Sequence, residues 1–349
     1  MPRFTALQLE QESRQQRLDA YTYPVLTLPN EITSEIFVLV LPPYPYRSKL
    51  TGLSSPTSLT HICGKWRDIA LATPRLWRAF STVFKADQPE HILAVQTWLE
   101  RSGSCPLSIH LAVGDQVPNE VLVAILLHRE RWQHMELELA ASELGLVKGP
   151  MPLLEILTLA VETGDHTTPA TDVNSFPRLR AVTVHNTCGV KLNWLPMFQL
   201  TSLTFVDMVS SNDYLPLLQD ALNLVSLHLI ACNTNVPLQS GVKLDRLEKL
   251  VIFNCWCPED AATPIFETFT LPALRTLLVS GELLGPGNPT ASLIPLVTRS
   301  GCELQQIIIV PGSRSRNASF IIRALREVFP SIANFIFSDS KYDWYRDTF

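Results

Sequence analysis

The sequence predicts an α/β chain in two parts: an all-helical N-terminal block, then a solenoid whose strands form a curved parallel sheet. Two apolar helix faces stand close together between Leu28 and Trp77. From residue 132 onward a six-position apolar pattern recurs nine times, spaced as one strand plus a return connection would be. The 349 residues are 46% hydrophobic and 17% charged, which favours an ordered chain of two domains or one elongated array over a single compact core. The boundaries read as a polar tail or helix over 1–23, the helical block over 24–84, a connecting helix over 85–104, and the array with a C-terminal tail over 105–349.

The opening residues, with QLEQESRQQRLDAY, read as a solvated polar helix or a frayed tail. A first amphipathic helix opens at Asn30. Ile32, Ile36 and Val40 fall four residues apart, with Phe37 and Leu39 beside them, and Leu28-Pro29 holds the turn into it. Residues 41–55, LPPYPYRSKLTGLSS, are proline-rich and polar and read as an inserted loop. In the second helix Ser55 caps, Pro56 takes the first helical position, and Leu59, Ile62, Cys63, Trp66, Ile69 and Ala70 repeat at i, i+3, i+4, i+7 before Pro74 ends it. About fifty residues with so much apolar helix surface cannot bury all of it internally, so part is expected to meet another protein.

Leu28-Pro29-x-Glu31-Ile32, then Ile62-Cys63-x-x-Trp66-Arg67-x-Ile69-Ala70, then Thr73-Pro74-x-Leu76-Trp77 resemble an F-box. The resemblance implies that the block binds a Skp-type adaptor, and through it the cullin scaffold of a RING ubiquitin ligase. It implies an adaptor contact from Leu28, Pro29, Ile32 and Ile36 in the first half and from Leu59, Ile62, Cys63 and Trp66 in the second. The loop over 41–55 departs from a compact F-box. The competing reading makes these positions the core of a small helical cap in a non-ligase scaffold.

Between the block and the repeats, Gln88 to Trp98 reads as a helix turning Ile92, Val95 and Leu99 toward the junction. The repeats follow as WQHMEL (132), LEILTL (154), LRAVTV (179), LTSLTF (200), LVSLHL (224), LEKLVI (247), LRTLLV (274), LQQIII (304) and IANFIF (332), after a weaker PLSIHL at 106. Their spacings run from 21 to 30 residues. Met151-Pro152, Phe176-Pro177, Leu271-Pro272 and Phe329-Pro330 precede four of them; proline there costs no ladder donor, and the apolar residue before it can plug the turn. Together these segments resemble an irregular leucine-rich-repeat array, although the asparagine or cysteine that usually follows the strand is patchy, as at Cys232 and Asn254. An ordinary α/β sheet is the other architecture; its crossover helices need longer amphipathic stretches than most connectors offer.

Alternation sends pattern positions one, four and six to the core and leaves three, five and seven on the concave face. That face is polar early and apolar late. The candidate target contacts are His185, Thr204, His228, Val251, Phe253, Leu278, Ile308 and Val310. Two readings of the late apolar part stand side by side: a target surface, or a surface covered by the tail SKYDWYRDTF, which carries Trp344, Tyr345 and Phe349. Phe320, Ile321, Ala324, Leu325 and Val328 read as a helix on the convex side.

Catalytic and cofactor signatures are missing from the sequence. The seven cysteines, at 63, 105, 188, 232, 255, 257 and 302, form no Cys-x-x-Cys pair, and buried thiols outweigh a metal site. His134, His185 and His228 lie on separate strands and read as polar contacts before they read as a base or ligand. No phosphate-binding, dinucleotide, nucleophile-elbow or zinc-protease motif occurs; Gly285 to Pro289 is a turn-rich loop, and Asn317-Ala318-Ser319 matters only in a secreted protein. The net charge of -5 argues against nucleic acid, and neither a leader nor a membrane-length apolar run is seen. The expectation is a non-enzymatic receptor without cofactor, cytoplasmic or nuclear. Its partners are a Skp-type adaptor, through it a cullin, and a target protein the sequence does not name.

Overall fold

The computed structural model describes residues 10–16, 24–84, 90–113, 119–162, 175–185, 192–233, 241–253, 255, 264–284, 290–310 and 318–337. The tail with Trp344, Tyr345 and Phe349, the Gly285–Pro289 loop, Asn317, Cys188, Cys257 and Asn254 lie outside the described residues. The chain divides into two compact units, Met1–Ser81 with Glu90–Cys105, and Thr82–Pro89 with Pro106–Phe349.

In the first unit, α1 (residues 10–16) is exposed. α2 (Asn30–Val40) follows a 3-10 turn at Pro24–Thr27, and Lys65 Nζ donates to Leu26 O (2.6 Å) and Leu28 O (3.0 Å), fastening that lead-in. The second amphipathic stretch is not one helix. Pro56–His61 forms a 3-10 turn capped by Ser55, whose Oγ accepts from Thr57 N at 3.2 Å, and α3 begins only at Gly64 and runs to Leu71. The break is local chemistry: Ser58 and Thr60 hydroxyls donate back to Ser55 O and Thr57 O, and Cys63 Sγ accepts from Trp66 N as an N-cap. The proline-rich loop is partly ordered structure, since β1 (Ser48–Lys49) pairs in parallel with β2 (Ala79–Phe84) and Ser55 Oγ donates to Leu50 O.

α4 (Glu90–Arg101) belongs to this first unit. It buries Val95, Trp98 and Leu99, and Trp98 meets Trp77 edge-on at 5.2 Å and Phe80 at 5.6 Å. Trp77 Nε1 donates to Ala70 O at 2.9 Å, so this aromatic core is also polar-satisfied at that indole. Pro74 ends the helical stretch as expected from its missing N–H, in a 3-10 turn at Pro74–Leu76.

The second unit is built on parallel strands that neighbour one another in sequence order: β3 (Leu107–Val113), β4 (Trp132–Ala140), β5 (Ile156–Glu162), β6 (Ala181–His185), β7 (Ser202–Val206), β8 (Ser226–Ile230), β10 (Lys249–Phe253), β12 (Thr276–Ser280), β13 (Gln306–Val310) and β14 (Asn334–Phe337). A side pair joins β9 (Val242–Lys243) to β11 (Phe269–Thr270). The helices α5 (Asn119–Leu126), α6 (Ala141–Leu144), α7 (Ser211–Leu218), α8 (Pro264–Thr268), α9 (Leu293–Ser300) and α10 (Ala318–Val328) are mostly short. α10 buries Ile321 and Leu325 and exposes Phe320 and Val328, a narrower buried face than its sequence suggested.

The apolar-Pro-x-apolar signal is a β-turn. Leu154, Leu179, Leu274 and Ile332 N donate to Met151, Phe176, Leu271 and Phe329 O, with proline at the second turn position. The same bond without proline precedes β7 (Leu200 to Met197 O) and β8 (Leu224 to Ala221 O). Pattern positions one, four and six, such as Leu200, Leu203 and Phe205, are buried, except on β14, where Phe335 and Phe337 are half-buried. Fully burying one such side chain is worth about 1.5–3 kcal/mol, so the repeated leucines carry the unit.

Candidate functional site

In the first unit α2 turns Thr33 and Phe37 inward and its other apolar residues outward. Phe37 packs against Trp66 of α3 at 4.9 Å, edge to face. Ile32 is 51% exposed, Ile36 42%, Leu39 81%, Val40 70%, and Ile62 59%. Of the other expected adaptor residues, Pro29 is exposed, Leu28, Cys63 and Trp66 are half-buried, and Leu59 is buried. Leu59 is therefore core, and Cys63 is a cap. Trp66 holds the two helices together, and its Nε1 is buried without a hydrogen-bond partner. Leu39 and Val40 belong to the open face; the four-residue spacing found Val40, but nothing in the sequence says which flank of α2 is covered.

In the second unit the face opposite the leucine core is laid out by register. Its middle row runs His110, Glu136, Thr158, Thr183, Thr204, His228, Val251, Leu278, Ile308, Ile336 across successive strands. The row beside it carries Glu138, Ala160, His185, Val206, Ile230 and Phe253. The polar-to-apolar progression stands as the sequence indicated. Of the candidate target contacts, Thr204, His228, Val251, Leu278 and Val310 are buried rather than open, while His185, Phe253 and Ile308 are half-buried. Each middle-row side chain is walled by in-register neighbours and by residues two positions along its own strand, and the apolar ones close into a cluster of Val251, Leu278 and Val310 with Phe253 and Ile308 against it.

His228 Nε2 lies 3.0 Å from Ser226 Oγ, and its Nδ1 is buried without a partner. Burial, with Lys249 adding to it, pushes its pKa down to about 4. A serine–histidine contact of this kind is a poor acyl-transfer pair, because so weak a base takes a serine proton reluctantly. His185 is also lowered by burial, against the opposing fields of Glu136, Asp207 and Glu138. Asp207 reaches this neighbourhood from a left-handed residue at the exit of β7 (φ 55°). His110 Nε2 lies 3.7 Å from Glu136 Oε1.

Two thiols continue the exits of neighbouring strands. Cys232 Sγ donates to Phe205 O (3.3 Å), and Cys255 Sγ to Leu229 O (3.4 Å). Their mutual hydrogen bond pulls the Cys232 pKa down, and burial pushes Cys255 up. Both tie one strand exit to the next; the first is the Cys232 the sequence pointed to, and the second is Cys255, where the sequence pointed to Asn254. Among the described residues, no three His, Cys, Asp or Glu are placed to hold a metal ion, and no helix is long and apolar enough to cross a membrane.

No protein-family model matches the chain, and no curated protein matches it.

Proposed function

We propose that this chain is the substrate-recognition subunit of an SCF-type (cullin-RING) ubiquitin ligase. The first unit acts as an F-box on a Skp-type adaptor, and the second acts as a leucine-rich-repeat-like solenoid that presents a target protein. The carrying observation is the exposed apolar flank of α2, Ile32, Ile36, Leu39 and Val40 on one side of the helix. A contiguous apolar surface of this kind on a small helical unit is an interaction surface. The sequential order of the sheet strands and the turn repeated before β5, β6, β7, β8, β10, β12 and β14 support the solenoid reading. The described cysteines Cys63, Cys232, Cys255 and Cys302 carry no disulfide, consonant with a reducing cytoplasmic or nuclear compartment.

The test is binding of the purified chain to a Skp-type adaptor beside Ile32→Asp. Ile32 is half-exposed, so the variant should stay folded and lose on the order of 2 kcal/mol, about thirtyfold in affinity. Unchanged affinity in the folded variant overturns the reading. Adaptor binding without cullin co-purification would make the chain a scaffold instead of a ligase receptor.

A further inference from the structure

The last strand of the large sheet is packed unlike those before it. In β12 and β13 the core-facing residues Leu277, Val279, Ile307 and Ile309 are all 0% exposed, with a strand on either side of each. In β14 the equivalent Phe335 and Phe337 are only half-buried, and Ile336 on the opposite face is 43% exposed. Among the described residues β14 pairs with β13 alone, so its outer edge is open and neither of its faces is fully covered. α10 borders the same opening. Ile322, Arg323, Arg326 and Glu327 line a cavity of about 490 Å³, and the Arg326 guanidinium lies over the Phe335 ring at 5.8 Å. An open strand edge flanked by apolar side chains attracts further chain, and an array whose repeats bury their cores against one another needs a cap at its end.

We propose that residues 338–349 are that cap: the segment folds back against β14 and α10 and sets its aromatic side chains on Phe335, Phe337 and Ile322. Tether, composition and charge favour this occupant. The segment starts directly after Phe337, so it is held at the opening, where a short tether gives an effective concentration in the millimolar range that a free partner does not match. It carries Tyr342, Trp344, Tyr345 and Phe349, aromatic side chains suited to an apolar edge and to the guanidinium of Arg326. Its carboxylates Asp339, Asp343 and Asp347 complement the exposed Arg323 and Arg326. Residues 338–349 extend to about 40 Å, against about 16 Å for the length of α10, so the whole opening is within reach. This seat lies at the end of the sheet, away from the Val251, Leu278 and Val310 cluster, which is already buried. Neither adaptor nor target binding enters into it.

The experiment follows amide hydrogen exchange of the full chain, wild type beside Trp344→Ser with Tyr345→Ser, and tryptic cleavage after Lys341 in wild type beside Ile322→Ser. In the first pair, exchange across 318–337 should quicken about tenfold while β4 to β8 keep their rates. In the second, loss of the seat should raise cleavage after Lys341 about fivefold, again with β4 to β8 unchanged. Unaltered exchange across 318–337 in the tail variant, or cleavage indifferent to Ile322→Ser, overturns the proposal. Protection of 318–337 that grows with protein concentration, together with a dimer in light scattering, gives the opening to a second copy of the chain and overturns it as well.

Discussion

His228 is kept neutral by burial, and that has a thermodynamic consequence. In the unfolded chain it takes a proton near the ordinary histidine value of about 6.5, whereas in the folded chain it does so only at about 4. Between those values the unfolded state holds the extra proton, so stability is full above 6.5, falls as pH drops, and levels off near 4, a loss of roughly 3 kcal/mol. Urea unfolding measured across that range should show the wild type losing about 3 kcal/mol more than His228→Gln between neutral pH and pH 4. Parallel curves would show that His228 is no site of this coupling. The same burial that unbalances His228 also removes it from the set of open target contacts that alternation alone assigned.

At the scale of elements, α2 and α3 meet through the edge-on contact of Phe37 with Trp66. Trp66→Ala should lower the melting temperature by the equivalent of about 3 kcal/mol or more and weaken adaptor binding as a secondary effect, whereas Ile32→Asp weakens binding alone. Equal stability of the two variants would dissolve that distinction. These elements also show what the sequence could and could not say. The repeats were legible because Leu154, Leu157, Leu159 and their counterparts answer to a period that only a strand with one buried face requires. The turn signal was half legible: proline marked four turns, while the same hydrogen bond before β7 and β8 carries no proline to mark it. The second helix was misread because its apolar period continues through Cys63, where hydroxyl-to-carbonyl bonds and an N-cap interrupt the backbone. Leu59 and Ile62 look alike in such a period, yet one is core and the other surface, because the choice of flank is made by tertiary packing. β1 was hidden in a proline-rich stretch, since two residues of strand leave no periodicity to read.

At the scale of the molecule, Ile32 and His228 lie in different compact units. Substitutions that share no partner add their effects. Ile32→Asp combined with His228→Gln should therefore show the adaptor loss of the first and the altered pH dependence of stability of the second, each at its single-variant size. Adaptor titration and urea unfolding of all three variants check this, and a mutual coupling beyond about 0.5 kcal/mol would mean the two positions are energetically linked. The turn that precedes most of these strands also governs how such a chain can change over generations. The bond from Leu224 N to Ala221 O fixes the chain just ahead of Ser226, and Leu274 to Leu271 O does the same ahead of Thr276. One residue inserted between that clamp and its strand would exchange every inward for every outward side chain in the repeat. The same residue added to the connector after the strand would alter neither face. Repeat spacings from 21 to 30 are what this asymmetry permits: drift accumulates in the connectors, while substitution at the outward positions is left free to rewrite what the sheet recognises without recutting its frame.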